Sequence, residues 1–241
     1  MRVILVTGAN GGLGQAIARD FIREDSGNFV WLGVHKATDK ATALVSEFPE
    51  RSAIVELNVS DPISWQMALK TILTRHDQLD VLVNNAGRHR DGLLANLDSS
   101  AWDDVLSTNL DGVFHGCRAV LPSMISRRQG RIVNISSLSA LLAPAGQTNY
   151  AAAKAGVIAL TQSLAKEVAR IGITVNAICP GYIETEALSS WGESEKTAAV
   201  ARVPMRRLGR PDEVASAVRF LACREASYIT GSVLKVDGGI L

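Results

Sequence analysis

Short apolar runs rich in β-branched residues alternate with longer amphipathic segments along almost the whole chain. The runs have strand length and predict buried strands at 2–6, 29–34, 52–57, 80–84, 130–135, 173–178 and 233–236. The segments between them predict helices near 12–24, 39–48, 62–75, 101–126, 148–171 and 212–222. Strands separated by helices form a parallel sheet whose two faces are covered. We therefore expect a single α/β domain over residues 1–241, a Rossmann-type doubly wound parallel β-sheet flanked by helices on both faces.

Charge and cysteine content exclude several classes of protein. The net charge of +1 gives no general attraction to nucleic acid or to a membrane, so we expect neither as a partner. No apolar run approaches the roughly 20 residues that span a bilayer, and the N-terminus lacks the pattern of a secretory signal. Cys117, Cys179 and Cys223 lack the spacing of a zinc site. We expect buried thiols, no bound metal and a cytoplasmic protein.

A glycine-rich turn follows the first predicted strand and opens the first helix. Thr7 to Gly14 read TGANGGLG, with glycines at positions 8, 12 and 14. Glycine permits a tight turn and lets the backbone approach a pyrophosphate, while the helix N-terminus presents free N–H groups to the anion. A tight turn without a ligand is the alternative, but the βαβ context favours nucleotide binding.

The cofactor type is read where the second strand ends. Residues 32–36 are Leu-Gly-Val-His-Lys, without an Asp or Glu that would hold two ribose hydroxyls. Lys36 would neutralise a 2′-phosphate, although an ordinary solvated lysine is the alternative. NADP(H) is therefore favoured over NAD(H).

Three side chains form a candidate catalytic group. Tyr150 and Lys154 are four residues apart in a helical segment, so they lie on one face of the helix. A nearby ammonium is expected to lower the pKa of the phenol, which makes Tyr150 a proton donor to a carbonyl oxygen as hydride reaches the carbon. Ser137 follows a strand and would donate a hydrogen bond to the same oxygen.

With three further motifs, the sequence resembles the short-chain dehydrogenase/reductase family over essentially its whole length. These are Asn84-Asn85-Ala86-Gly87, Asn109 in a helix, and Pro180-Gly181 after a strand. The resemblance implies that Asn109 belongs to a water-linked proton relay with Lys154, and that the NNAG segment stabilises the sheet centre. The catalytic residues it implies are Asn109, Ser137, Tyr150 and Lys154. The cofactor-binding residues are Gly8, Asn10, Gly12, Leu13, Gly14, His35, Lys36, Asn58, Val59, Asn85, Ala86, Gly87, Tyr150, Lys154, Pro180, Gly181, Ile183 and Thr185.

Within that family, residues 146–156, 172–176, 180–185 and 236–239 are similar to 3-oxoacyl-[acyl-carrier-protein] reductases. This likeness implies NADPH-dependent reduction of a 3-oxoacyl thioester, bound to acyl-carrier protein or coenzyme A, by a homotetramer that uses helices 101–126 and 148–171 as contacts. Substrate contacts are expected from Ser137, Leu138, Gln147 and Tyr150. The alternatives are a dehydrogenase of another secondary alcohol (a sugar, steroid, polyketide or aryl-polyene intermediate) and a non-catalytic NADP(H)-binding module.

Departures from the family pattern concern charge and the substrate loop. Gly11 stands where members that prefer NADPH often carry Arg or Lys, and Leu138 to Ala145 are more apolar than the usual loop. Arg128 matches one carrier-docking position, but Ile171 occupies the other, with Arg170 one residue earlier. Two arginine clusters either steer an anionic carrier to the cleft or are simply solvated. They are Arg127, Arg128 and Arg131, and Arg202, Arg206, Arg207 and Arg210. The irregular segment 182–207 is expected to be a substrate lid.

Overall fold

A computed structural model describes residues 1–189 and 191–241, and within these ranges seven strands form one sheet. The strands are β1 Arg2–Thr7, β2 Asn28–Val34, β3 Ser52–Glu56, β4 Val81–Asn84, β5 Gly130–Ile135, β6 Ile173–Pro180 and β7 Val233–Val236. All neighbouring pairs are parallel, in the order β3-β2-β1-β4-β5-β6-β7. The predicted doubly wound parallel sheet is confirmed.

Helices connect the strands and cover the sheet. They are α1 Gly12–Glu24, α2 Asp39–Glu47, α3 Pro62–His76, α4 Ser99–Leu106, α5 Gly112–Arg127, α6 Ser139–Leu142, α7 Thr148–Val168, α8 Glu193–Arg202 and α9 Pro211–Ala222. Local sequence explains where some begin and end. Asp61 accepts a 2.8 Å hydrogen bond from the Ile63 N–H, Pro62 occupies the first turn, and Asp77 ends α3 in the left-handed conformation. No helix among the described residues is long and apolar enough to cross a membrane.

Alternate residues along each strand face opposite layers of the core. Val3 and Leu5 pack with α3, α5 and α7 on one face, whereas Ile4 and Val6 pack with α1, α2 and α9 on the other. Both layers exclude water, so both sets of side chains must be apolar. This requirement explains why the strands read as continuous apolar runs and why their positions were predictable.

The helix predicted near 101–126 is present as a continuous helical stretch over 99–127, but a π-helical turn interrupts its regular geometry. α4 ends at Leu106, a π-helical turn spans Ser107–Asp111, and α5 begins at Gly112. The side-chain amide of Asn109 donates a 2.9 Å hydrogen bond to the Val105 carbonyl oxygen. In a regular α-helix that oxygen would accept from the backbone N–H of residue 109, so the side chain takes the place of a helical hydrogen bond and the turn widens.

Two short helices were not predicted. α6 lies in the apolar 138–145 loop, and α8 lies in the 182–207 segment, where a 3₁₀ turn also spans Glu186–Leu188. Of the ten residues of α8 only Ala199 is buried, so the segment carries little apolar periodicity. Its N-terminus is fixed instead by the Glu195 carboxylate, which accepts a 2.8 Å hydrogen bond from the Gly192 N–H. Ser190, also within 182–207, lies outside the described residues.

Candidate active site

The strand order places a crevice at the carboxyl ends of the central strands. β1 lies between β2 and β4, and the connections on its two sides run in opposite directions along the sheet. At such a point the loops part, and ligands bind between them. A cavity of about 1170 Å³ opens there, lined by segments that follow β1 to β6.

Nearly every residue predicted for the site lines this cavity. Those that line it are Gly8, Asn10, Gly12, Leu13, Gly14, His35, Lys36, Asn58, Val59, Asn85, Ala86, Gly87, Ser137, Leu138, Gln147, Tyr150, Lys154, Pro180, Gly181, Ile183 and Thr185. Asn109, the remaining predicted residue, is fully buried behind the cavity wall. Residues that are distant in sequence but were predicted for one site thus line a single cavity.

The glycine turn is held against the segment that follows β4. Gly8 adopts φ +64°, and a Cβ built on it would lie 2.7 Å from Ala86 Cα, so only glycine fits. The Thr7 hydroxyl accepts hydrogen bonds from the N–H groups of Asn85 (3.0 Å) and Ala86 (2.9 Å). The Asn85 side chain donates back to the Thr7 carbonyl at 2.8 Å. These contacts fix the turn in an open shape beneath the N-terminus of α1.

Asn10 connects the glycine turn to α2. Its side-chain oxygen accepts hydrogen bonds, each 3.0 Å long, from the N–H groups of Lys40 and Ala41 in the first turn of α2. Its amide donates to the Asp39 carboxylate at 2.9 Å. Asn10 therefore caps α2 from a remote position, and its side chain positions the region around His35 and Lys36.

The three candidate catalytic side chains meet at the end of β5. Tyr150 and Lys154 project from the first two turns of α7, and the Tyr150 hydroxyl faces that of Ser137. The Ser139 N–H donates to Ser137 Oγ at 3.1 Å, which orients the serine. Lys154 Nζ donates a 2.8 Å hydrogen bond to the Ile135 carbonyl oxygen. Two hydroxyls and a buried amine thus converge on one part of the cavity.

Burial controls the pKa values of this group. Burial raises the pKa of Tyr150 to about 12, although the Ser137 hydroxyl acts in the opposite direction. The pKa of the phenol is therefore not lowered as expected, because burial outweighs the influences that lower it. Burial lowers the pKa of Lys154 itself to about 8. Its ammonium is poorly solvated, which favours loss of the proton that it carries.

Comparison with known proteins identifies the family. A family model described as enoyl-(acyl carrier protein) reductase matches residues 8–241. A 3-oxoacyl-[acyl-carrier-protein] reductase of Vibrio cholerae is 44% identical over 99% of this chain and 97% of its own length. The enzymes of that name from Escherichia coli and Thermotoga maritima are each 41% identical, over 97% and 98% of their lengths. The chain belongs to the short-chain dehydrogenase/reductase family.

In this short-chain dehydrogenase/reductase the polar centre of the sheet is a chain of amides. Asn84 Nδ2 donates to Asn134 Oδ1 at 2.8 Å, and Asn134 Nδ2 donates to Thr161 Oγ1 at 2.9 Å. All three side chains are buried. The chain joins β4, β5 and α7, and so holds the NNAG segment and the helix of Tyr150 in register.

Asn109 lies close to Lys154 but does not contact it. Its amide donates to the Arg88 carbonyl oxygen at 2.8 Å as well as to Val105. A Cβ on Gly87 would lie 2.7 Å from Asn109 Oδ1 and 3.6 Å from Lys154 Nζ. Any side chain at residue 87 would therefore stand between the two groups. The proposed relay between them stays a prediction.

A hydrogen-bonded row beside Ser137 was not predicted. The Ser139 hydroxyl donates to Gln147 Oε1 at 2.8 Å, and Gln147 Nε2 donates to the Asp91 carboxylate at 2.8 Å. The row holds Gln147 at the cavity wall. On the other side of Tyr150, His89 packs on the tyrosine ring with 4.3 Å between ring centres. No sequence motif marks either contact, because both join loops that are distant in sequence.

Apolar side chains from two segments line part of the cavity. Leu138 and Leu142 line it from the loop after β5, and Tyr182 and Trp191 line it from the 182–207 segment. The two aromatic rings meet edge to face, with 5.9 Å between their centres. The apolar character predicted for the 138–145 loop thus faces the cavity in part.

The first arginine cluster does not lie near the cleft. Arg128 and Arg170 precede β5 and β6, and therefore lie at the amino edge of the sheet, opposite the cavity. Arg128 donates to the Arg170 carbonyl oxygen, Arg127 pairs with Asp80 at 3.3 Å, and Arg131 donates to the Gly172 carbonyl. These residues cannot steer a carrier to the cleft of their own protomer.

The second cluster is largely occupied by local partners. Arg207 pairs with Glu213 at 2.6 Å and Arg210 with Asp212 at 3.1 Å. Arg202, by contrast, lines the cavity. Of the two clusters, this residue is the one placed to meet an anionic substrate.

Proposed function

We propose that the protein is an NADP(H)-dependent reductase that converts a 3-oxoacyl thioester, carried by acyl-carrier protein or coenzyme A, into the 3-hydroxyacyl form. The observation that carries this proposal is the meeting of Ser137, Tyr150 and Lys154 beside the glycine turn in one cavity. This chain also matches relatives named 3-oxoacyl-[acyl-carrier-protein] reductase over almost their whole length.

The residues present fit a nicotinamide dinucleotide. Gly11, at the start of α1, has no side-chain hydrogen bond to the helix, so the first N–H groups of α1 are free for an anion. The Glu186 carboxylate faces this end of the helix: Lys40 is the main cause of its lowered pKa, and the Gly12 N–H acts in the same direction. Lys36 lines the cavity beyond β2 and supports NADP(H) over NAD(H).

The side chains of this protein account for proton transfer to the substrate's oxygen and for stabilisation of the charge that results. A bound nicotinamide supplies the hydride. Ser137 donates a hydrogen bond to the substrate's 3-oxo oxygen, and Tyr150 transfers its phenolic proton to that oxygen, which completes the alcohol. The Lys154 ammonium stabilises the phenolate that remains. Asn109, behind Gly87, is proposed to supply the path by which the proton is replaced.

The test is oxidation of NADPH by acetoacetyl-coenzyme A and by acetoacetyl-acyl-carrier protein, each compared with NADH. Tyr150→Phe removes the transferable proton and keeps the ring. We expect turnover with NADPH that this variant loses. Crotonyl-coenzyme A is the comparison substrate, because the family model's description names an enoyl reductase. Turnover of crotonyl-coenzyme A alone would contradict the proposal.

We also propose a cytoplasmic homotetramer. The cysteines Cys117, Cys179 and Cys223 are free thiols, which suits a reducing compartment. On α5 the large side chains of Phe114 and Ile125 are exposed by 45% and 42%, on a helix expected at a subunit contact. Analytical ultracentrifugation tests the assembly, and a monomer at micromolar concentration would contradict it.

A further inference from the structure

Glu186 makes two contacts that no sequence motif indicates. It lies in the 3₁₀ turn of the 182–207 segment, and its carboxylate forms an ion pair with Lys40 in the first turn of α2. The same carboxylate reaches the first residue of α1, since a Cβ on Gly12 would lie 3.2 Å from Glu186 Oε2. One side chain therefore joins the expected lid, the glycine turn and α2.

The position of this carboxylate is the unusual feature. The first N–H groups of α1 carry partial positive charge, and they are the groups that receive the pyrophosphate of a dinucleotide. Gly11 provides no side-chain cap, and the Glu186 carboxylate lies beside the first turn of α1. The pair with Lys40 lowers the pKa of Glu186, and the N–H of Gly12 acts in the same direction. The carboxylate is therefore charged at neutral pH.

A carboxylate and a pyrophosphate cannot share this position. Both are anions, and both need the N–H groups at the start of α1. Lys40 belongs to the first turn of α2, and its ion pair with Glu186 places it beside the N-terminus of α1. The Lys40 side chain is 41% exposed and has a four-carbon stem with free rotation, so a change of anionic partner requires only rotation of the side chain.

We propose that Glu186 is a competing anion that lowers affinity for the dinucleotide, and that Lys40 exchanges the Glu186 carboxylate for the cofactor's pyrophosphate when the cofactor binds. This inference depends on the proposed function, because it requires a dinucleotide in this cavity. It adds two residues that set the affinity of the cofactor site for either dinucleotide. It also couples the site to the 182–207 segment, since release of Glu186 detaches that segment from α1 and α2.

Direct binding measurements test the exchange. Glu186→Gln keeps the shape of the side chain and removes its charge, so NADPH and NADH are both expected to bind about 3- to 10-fold more tightly, at low ionic strength. Lys40→Met keeps the length of the stem and removes the cation, so both cofactors are expected to bind about 3- to 10-fold more weakly. Dissociation constants are measured by calorimetry, without substrate. Glu184→Gln is the matched control, because it removes the same charge from the same segment outside the cavity lining.

A second readout separates competition from general damage. Glu186→Gln loses an ion pair of the free protein, so its melting temperature without ligand should be equal to or below that of the wild type. Its rise in melting temperature with saturating NADPH should be larger. A variant that was merely damaged would show neither tighter binding nor a larger rise.

The outcomes that overturn the inference differ from those that overturn the proposed function. If wild type binds NADPH and reduces acetoacetyl-coenzyme A, but Glu186→Gln binds no more tightly than Glu184→Gln, the competition is refuted. If Lys40→Met weakens NADPH alone, Lys40 meets the 2′-phosphate and the assignment to pyrophosphate is refuted. If wild type binds neither dinucleotide, the proposed function itself fails.

Discussion

Replacing Lys154 by methionine is expected to stabilise the protein while it removes activity. Burial lowers the pKa of Lys154 from 10.5 to about 8, which corresponds to about 3 kcal/mol lost by the folded protein at pH 7. Methionine has a similar length and no charge. It gives up the hydrogen bond to the Ile135 carbonyl, at a cost of about 1 kcal/mol. The net gain of about 2 kcal/mol should raise the melting temperature by about 4–8 °C.

The dependence on pH distinguishes this effect from better packing. Between about pH 8 and 10.5 the unfolded chain holds the Lys154 proton and the folded protein does not. Wild-type stability therefore rises relative to Lys154→Met across this interval, and the advantage of the variant should vanish above it. Melting temperatures at pH 7 and pH 10.5 check this. Lys166→Met, an exposed lysine of the same helix, is the control.

Activity should change in the opposite direction. Lys154 Nζ lies 5.7 Å from the centre of the Tyr150 ring, and a charge at that distance is worth about 3 kcal/mol at an effective dielectric constant of about 20. Loss of the ammonium should therefore slow reduction of acetoacetyl-coenzyme A about 100-fold. A Lys154→Met variant that melts below wild type at pH 7, or that keeps its activity, would refute the reasoning.

Three further predictions concern the same centre. The kcat/KM for reduction should fall as pH rises through about 8, where Lys154 loses its charge, and a profile of NADPH oxidation that stays flat to pH 10 would contradict this. Asn134→Leu leaves both amide-chain partners of this buried residue without a hydrogen bond, and should lower the free energy of unfolding by about 3 kcal/mol in urea titrations. Gly87→Ala places a methyl group 2.7 Å from Asn109 Oδ1, and should slow turnover about 10- to 100-fold while the protein stays folded by circular dichroism.

The strands and the outline of the site were predictable because the physics behind them is local. A buried parallel strand must be apolar on both faces, and a tight turn under a helix needs glycine, so both can be recognised from a few consecutive residues. The fold and the family predicted from these local patterns were confirmed. The lid over 182–207 stays a prediction, as do the roles assigned to individual site residues.

The features that sequence could not predict arise between distant segments. The widened turn at Asn109 depends on a side chain that bonds back to Val105, which no propensity records. The pKa of Tyr150 depends on burial by several elements at once, so the expected direction was wrong. The location of Arg128 at the amino edge follows from its place before β5, which a motif match alone does not indicate.

The close contact between Gly8 and Ala86 determines when the glycine turn can take its shape during synthesis of the chain. During synthesis the glycine turn leaves the ribosome well before β4 and the NNAG segment, which supply the hydrogen bonds to Thr7 and the surface under Gly8. A nascent chain that ends before residue 81 contains the whole TGANGGLG sequence but lacks the support that gives it shape. Binding of the cofactor can therefore stabilise the folded chain only after the first half of the sheet has been joined to β4.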